Sequence, residues 1–436
     1  MALQFILGPS GAGKSEYIYE DIIRRTMQDK RENVIVLVPE QYSLEIQRKL
    51  VQKHPRGGSF QIDVIGFNRL AYRIFDELHI KPKKVLEDFG KSMLLRKAAQ
   101  EHKEELSLYA GSLDKAGFID EAKSLMSEIY QYDIPRERLR EALQKLDDSE
   151  EARVLARKLQ DMLVIFDAFE EKKGQSFIVA EQMLELLTAA AEQSELIAGS
   201  EIVLDGFTGF TPIQLNLISV LLRRAKKVTI VLTIDAATYE KKHVAEHELF
   251  ALTKQTIEHL LLTAEQAHVV VKPALFLGKD GCKRWSKGHP LAHLEQNLFR
   301  YPYRVGKDEE QAITITAYDT PAQELSGVAE QIRTLVMEQG YRYRDIAIVS
   351  GNLEETAEFA KRILPQYEIP YFIDMTMPVK NHPCVDALTH VLRIVDENFS
   401  YDSVFAFLKS GVVKSLEQSE IEMLENYVLA RGRKGI

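Results

Sequence analysis

"FILGPSGAGKSEYIYEDII", Phe5 to Ile23, lies close to the start of the chain and decides the fold class. An apolar run, Leu3–Leu7, leads into Gly8-Pro9-Ser10-Gly11-Ala12-Gly13-Lys14-Ser15, and a helical stretch follows to about Gln28. The octapeptide has the form G-x-x-x-x-G-K-[ST]. Its glycines let backbone N–H groups turn toward phosphate oxygens at a helix N-terminus, with Lys14 on the β- and γ-phosphates and the Ser15 hydroxyl on Mg²⁺. Gly8, Ser10, Gly11, Ala12, Gly13, Lys14 and Ser15 are therefore the candidate ATP-binding residues. The competing reading is a Gly-rich strand-to-helix turn that holds no ligand.

Outward from this stretch, strand and helix signals alternate. "VIVLVP" (Val34–Pro39) is a continuous apolar run of the kind found in buried parallel strands. "QIDVIGF" (Gln61–Phe67) reads as a third strand and "NRLAYRIFDEL" (Asn68–Leu78) as the helix it enters. From about Lys81 to Gly199 the pattern turns to helices rich in Glu, Lys, Ala and Leu, such as "EEARVLARKLQDMLVIFDAFEEKK". Strands resume with "EIVLDGF" (Glu201–Phe207) and "KVTIVLTID" (Lys227–Asp235), separated by the helical "TPIQLNLISVLLRRA". A parallel α/β domain interrupted by a helical insertion and then completed is the expected architecture.

A polar stretch, "GKDGCKRWSKGHP" (Gly278–Pro290), reads as a surface loop near a boundary. A second α/β unit is expected beyond it, with strands "AITITAYD", "DIAIVS" and "PYFID" around helices "PAQELSGVAEQIRTLVMEQ" and "LEETAEFAKRILPQY". After about Ser400 the chain is helical and stops at "ARGRKGI" without a closing element. At 436 residues with 45% apolar content, two to four domains can each bury a core. Neither a signal peptide nor a run of about eighteen apolar residues occurs, so a cytoplasmic protein is the default expectation. Cys282 and Cys384 stand far apart, which leaves no zinc or iron–sulfur site to be built from this chain alone. The net charge of −9 argues against a whole-surface polyanion binder but allows a local basic groove.

A phosphate loop needs a strand-end carboxylate for Mg²⁺, and Asp205, closing "EIVLD", is placed for it. Asp205 also reads as an ordinary strand-end turn residue. The residue after it is Gly206, and Phe207 to Pro212 holds no carboxylate, so a general base for an attacking water is missing. Asp235, at the end of the next strand, is the nearest and a poor substitute.

The order of these segments resembles superfamily 1 DNA helicases of the UvrD/RecB type, and within them most closely the AddB (RexB) family. "GPSGAGKS" looks like motif I, "VLVPEQYSLEIQRKL" like motif Ia, and "LDGFTGFTPIQ" is similar to the helicase D-E-F-Q-D segment. "YRYRDIAIVSGN" resembles motif IV and "EIPYFIDMTMPVKNHPCVDAL" the stretch after it. The likeness implies two RecA-like domains: 1A over 1–80 and 200–280, with helical insertion 1B over 81–199, then 2A over 281–400 and the start of 2B over 401–436. It implies an N-terminal piece of a longer subunit, whose C-terminal nuclease domain would carry an iron–sulfur cluster outside this chain. The implied partner is an AddA-type motor subunit. It also marks losses: the Glu after Asp205, the motif III Gln, absent from "VLTIDAATY", and the motif IV Arg, absent from "VSGNLEETAEF". The seven residues before the loop leave no room for an adenine-reading Gln motif.

Single-stranded DNA is gripped by aromatic side chains and polar groups on loops at the carboxyl ends of parallel strands. The loops Pro39–Ser43, Phe67–Tyr72 and Phe207–Thr211 fit, and the resemblance implies that they scan for the recombination hotspot Chi. Gln41, Phe67, Arg69 and Phe210 match the residue types expected there, whereas Ser43 and Tyr72 stand where Thr and Trp are expected. Core packing is the alternative for Phe67 and Tyr72, and a solvated helix charge for Arg69. The leading expectation is an ATP- and DNA-binding subunit of a helicase/exonuclease with a degenerate motor. The alternatives are a nucleotide-binding scaffold without turnover and a phosphate-loop ATPase or kinase of another class.

Overall fold

The computed structural model describes residues 1–436 apart from 30, 31, 82, 114, 147, 148, 175, 279–281, 287, 308–310, 376–378, 380, 381 and 433–436. Parts of the Gly278–Pro290 loop, of the 368–388 stretch and of the C-terminal "ARGRKGI" thus lie outside the described residues. The chain divides into two units, Met1–Ile313 and Thr314–Ile436.

The first unit opens with β1 (Ala2–Gly8), α1 (Lys14–Gln28), β2 (Asn33–Leu37), α2 (Ser43–Lys53), β3 (Ile62–Ile65) and α3 (Phe67–Glu77). There follow β4 (Lys84–Leu86), α4 (Asp88–Glu101), α5 (Ala116–Gln131), α6 (Arg136–Gln144), α7 (Glu150–Lys173), β5 (Phe177–Val179), α8 (Ala180–Ala191) and α9 (Glu195–Ala198). It closes with β6 (Ser200–Leu204), α10 (Pro212–Arg224), β7 (Lys227–Thr233), α11 (Ala236–Glu240), α12 (Ala251–Gln266), β8 (Val270–Val271), β9 (Leu275–Phe276) and α13 (Pro290–Asn297).

The apolar runs pair as a parallel sheet in the order β3-β2-β6-β7-β1-β8, with β9 also on β1. Side chains alternate between two cores, as a strand's period of two requires. Leu3, Phe5 and Leu7 of β1 join Ile35, Leu37, Ile202, Leu204 and Ile230 on one face. Ile6 joins Val34, Val36, Val203 and Val231 on the other, against Ile18 and Ile22 of α1. Burial on both faces is why these strands read as unbroken apolar sequence. Because the ladders are parallel, the loops after β1, β2, β3, β6 and β7 all leave from one end of the sheet.

The segment read as a helical insertion has its own core of Leu95, Ala98, Met126, Met162, Phe166 and Phe169. It also holds one small parallel pair, β4 with β5. Its C-terminal part belongs with the sheet: Met183, Leu187 and Ala190 of α8 pack in the core that contains β1. Buried Asp161 on α7 accepts from the N–H groups of Ser107, Leu108 and Tyr109 at 2.9, 2.8 and 2.9 Å, pinning the loop after α4.

The second unit contains α14 (Pro321–Gln339), α15 (Leu353–Ile363), α16 (Pro383–Asp396), α17 (Tyr401–Lys409) and α18 (Gln418–Ala430). Leu325, Ala329 and Ile332 of α14 pack on Ala360 and Ile363 of α15. Here the sequence expectation is corrected. Among the described residues, the runs 312–319, 345–350 and 370–374 enter no β-ladder. Ile315, Val349 and Phe372 are 93%, 93% and 87% exposed, while Ile346 and Ile373 pack against the α14–α15 core. The first unit runs to Ile313, past the 280/281 boundary expected from sequence. No helix among the described residues is long and apolar enough to cross a membrane.

Candidate functional site

The Gly8–Ser15 loop joins β1 to α1 and is shaped by its glycines. Gly11 and Gly13 have φ of 71° and 83°, in the left-handed region that side chains disfavour. Gly8 is fixed by close approach: a Cβ there would lie 2.5 Å from the Leu277 carbonyl oxygen. Gly13 is the N-cap of α1 and offers no capping side chain. The first-turn N–H groups therefore face out of the helix with its positive dipole end.

Lys14 folds back onto this loop, its Nζ donating to the carbonyls of Gly8 at 2.9 Å and Pro9 at 2.8 Å. Burial pulls its ammonium down to about 8, against the opposing pull of Asp205 and Glu295, while Arg284 adds to the lowering. Ser10 is exposed, Ala12 is buried and Ser15 is half-buried at the start of α1.

Asp205 follows β6 and is 5% exposed, its N–H donating to the Leu37 carbonyl at 3.0 Å. The Tyr19 hydroxyl of α1 donates to Asp205 Oδ2 at 2.6 Å. Burial, and then the adjacent carboxylate, push the Tyr19 hydroxyl far above the usual tyrosine range, so it remains a donor. Ser15 and Asp205 offer hydroxyl and carboxylate oxygens, the hard donors that suit Mg²⁺, with one Asp205 oxygen already engaged. Among the described residues no group of three or more His, Cys, Asp and Glu could hold a metal ion by itself.

Gly206 has a φ of 83°, and its Cβ position lies 3.4 Å from the Pro39 ring. A glutamate there would carry left-handed strain, which gives the missing carboxylate a structural correlate. Asp235 does not replace it. Its Oδ1 accepts from the Thr238 N–H at 2.6 Å to cap α11, and its Oδ2 is paired with Arg300. Burial alone would raise Asp235, yet Thr238 and Arg300 outweigh it and hold the carboxyl below the usual range, a poor state for accepting a proton.

The loops after β2, β3 and β6 adjoin because those strands are neighbours in the sheet. Phe67, the first residue of α3, lies 5.5 Å from Phe207, and Phe207 lies 5.3 Å from Phe210, ring centroid to centroid. All three are half-buried. Gln41 is exposed in a turn of 3₁₀ helix over Glu40–Tyr42, and Ser43 Oγ donates to the Glu40 carbonyl at 2.9 Å. Arg69 is exposed on α3. Tyr72 is 48% exposed and meets Phe75 edge-on at 6.5 Å, apart from the Phe67-Phe207-Phe210 row.

Three features escaped the sequence reading. Glu40 reaches across to α3, where its Oε1 accepts from the Asn68 N–H at 3.1 Å. It fills the space a Cβ on Gly66 would need, 2.2 Å from the Glu40 carboxyl carbon. Tyr19 has ordinary core spacing, so nothing in sequence separated it from packing. The stretch Cys282–Trp285, read only as a surface loop, lies directly on Gly11 and Gly13. Its signal was the mixture of Lys, Arg and Trp in a short polar segment.

The fold and the site define an α/β protein with a parallel sheet, a G-x-x-x-x-G-K-S loop after the first strand, and a buried carboxylate two strands away. Residues 5–295 match the family described as "ADDB, N-terminal", and the chain belongs to the AddB family. Over its full length it is 38% identical to an ATP-dependent helicase/deoxyribonuclease subunit from Lachnoclostridium phytofermentans. It is 32% and 33% identical to the proteins of the same name from Clostridium novyi and Alkaliphilus metalliredigens. The chain spans 38%, 38% and 37% of the length of these three relatives.

Proposed function

We propose that this chain is the nucleotide- and DNA-gripping part of an AddAB-type helicase/exonuclease subunit, with a motor module that binds ATP but does not turn it over at a helicase rate. The observation that carries this reading is Gly206, held at φ 83° beside Asp205 in a site whose loop is otherwise complete. Gly8, Gly11 and Gly13 would present backbone N–H groups to the phosphates, Lys14 its ammonium, and Ser10 its N–H at the rim, with Ala12 shaping the turn through its N–H on the Pro9 carbonyl. Ser15 and Asp205 would hold Mg²⁺, which supplies charge neutralisation between the β- and γ-phosphates when bound. Gly206 brings no carboxylate after Asp205, and Asp235 is tied to Thr238 and Arg300, so neither position stands ready to take a proton from water.

Single-stranded DNA would cross the loops after β2, β3 and β6. Phe67, Phe207 and Phe210 supply a stacking face, while Gln41, Ser43, Arg69 and Tyr72 supply polar and aromatic contacts at its margins. In the whole subunit we place an AddA-type partner, scanning for Chi during double-strand break repair by homologous recombination, and an iron–sulfur cluster in the remaining length.

The test pairs protection from thermal unfolding by MgATP with measured turnover on oligo-dT. Protection that Lys14→Ala removes, with turnover far below the helicase range, is the expected result. DNA-stimulated turnover at a helicase-like rate, abolished by Lys14→Ala, would sink the degenerate-motor reading. Failure of oligo-dT to bind at low salt would sink the DNA reading.

A further inference from the structure

Cys282–Trp285 forms a strap over the phosphate loop. The N–H groups of Lys283 and Arg284 both donate to the Gly11 carbonyl, at 3.1 and 3.2 Å, and Cys282 Sγ lies 3.4 Å from the Ser10 carbonyl oxygen. The contact is close enough to exclude side chains on the loop. A Cβ on Gly11 would meet Cys282 Sγ at 2.4 Å, and one on Gly13 would meet Lys283 Cδ at 3.1 Å. Beside the strap, next to Pro9, opens a cavity of about 610 Å³ lined by Phe276, Leu277, Trp285, His293 and Gln296. Its size suits a small molecule, and its walls mix aromatic and apolar side chains with the charged Asp235, Glu295 and Arg300.

The charges point the same way. Lys283 and Arg284 are exposed, and the Arg284 guanidinium lies 5.7 Å from the Trp285 ring centroid, within cation–π range. Arg284 is close enough to Lys14 to oppose its protonation, against the larger opposite pull of Asp205 and of Glu295, which also lines the cavity. A polyanion between Lys14 and Arg284 would turn their repulsion into attraction. The loop fixes where phosphates would sit, and the cavity lined by Trp285 and Phe276 adjoins it at Pro9.

We propose that the strap is the base-reading half of the nucleotide site: Trp285 stacks on a purine base in the cavity beside Pro9, and Lys283 and Arg284 contact the phosphates. This rests on the reading of Gly8–Ser15 as a nucleotide site. It departs from that reading in assigning the base to residues downstream of the sheet.

Trp285 is the only tryptophan in the chain, so its emission reports on the site directly. MgATP, MgGTP and magnesium tripolyphosphate are titrated against the protein by fluorescence and by calorimetry. Expected are a saturable change in Trp285 emission with ATP that is larger than with tripolyphosphate, and about a tenfold loss of ATP affinity in Trp285→Ala. Tripolyphosphate affinity should change less than about twofold in that variant, while Lys283→Ala with Arg284→Ala weakens both ligands. Trp285→Phe, which keeps a stacking ring, should stay within about threefold of the wild type, and guards against a folding defect in the alanine variant. Equal ATP affinity in the wild type and Trp285→Ala overturns the strap assignment while leaving the loop reading intact. No calorimetric binding of either ATP or tripolyphosphate by the wild type overturns both.

Discussion

Lys14 makes the sharpest test, because its burial ties nucleotide binding to protons. The ammonium is pulled from 10.5 to about 8 by burial. At pH 8 about half of the ligand-free molecules then carry a neutral Lys14, about a tenth at pH 7 and about nine-tenths at pH 9. A triphosphate on the loop needs the charged form, so binding should take up about half a proton at pH 8 and nearly a whole one at pH 9, but almost none at pH 6. The bonds to the Gly8 and Pro9 carbonyls favour the ammonium and make these values upper bounds. Calorimetry of MgATP binding in buffers of different ionisation enthalpy measures the uptake directly. Lys14→Arg, charged throughout this range, should bind with the same heat in every buffer. The folded pKa lies below the unfolded one, so the unfolded chain holds more protons between pH 8 and 10.5 and ligand-free stability should rise with pH across that window. Below pH 8 the full cost of burying the charge applies, about 2–3 kcal/mol after discounting for partial solvation, and Lys14→Met should relieve it. Buffer-independent heats at pH 8 and 9 for the wild type, or a Lys14→Met protein no more stable than the wild type at pH 7, would refute this chain of reasoning.

Three further outcomes are expected. Gly206→Glu should destabilise the protein by about 1–2 kcal/mol in urea unfolding, from left-handed strain, without raising ATP turnover; unchanged stability would remove the structural account of the missing carboxylate. Asp161→Ala should cost about 2–4 kcal/mol by stranding the N–H groups of Ser107, Leu108 and Tyr109, and a wild-type-like melt would show that loop to be held otherwise. Phe207→Ala, removing the middle ring of the Phe67-Phe207-Phe210 row, should weaken oligo-dT binding about tenfold in an anisotropy titration and leave MgATP affinity alone; loss of both would place the ring in the core rather than at a DNA surface.

The sheet was legible because its strands are buried on both faces and therefore spell continuous apolar runs. Val34–Pro39 and Lys227–Asp235 needed trimming by only a residue or two, and Phe67 moved from the end of β3 into the first turn of α3. The Gly8–Ser15 loop was legible for a related reason: its two left-handed positions and its close approach to Leu277 admit only glycine. The runs at 312–319, 345–350 and 370–374 misled because apolar alternation encodes a strand only where a neighbouring strand completes a ladder, and among the described residues these runs enter none. What could not be read at all depends on contacts distant in sequence. Glu40 meeting Gly66, Tyr19 meeting Asp205 and the strap meeting Gly11 leave no periodicity or spacing to detect.

These long-range contacts bear on how a motor-like site would change its role. In helicase-type ATPases the residue after the metal-binding aspartate is a glutamate that orients and deprotonates the attacking water. Here the corresponding position is a left-handed glycine packed on Pro39, the first residue of the loop that ends at Ser43. Pro39 leads into Glu40, whose carboxylate holds the start of α3, and α3 begins with the Phe67 ring that touches Phe207. Phe207 in turn follows Gly206 directly. Asp205, Gly206, Pro39, Glu40 and the Phe67-Phe207-Phe210 row thus form one closed circuit of contacts at the carboxyl end of the sheet. A shift of Asp205 on ligand binding would reach the aromatic row through its own backbone, two residues away, and again through Pro39 and Glu40. Tyr19 opposes such a shift by holding Asp205 to α1, so Tyr19→Phe should loosen Asp205 and enlarge any effect of MgATP on oligo-dT affinity. An effect of MgATP that is the same in Tyr19→Phe and the wild type would mean that the circuit is only structural.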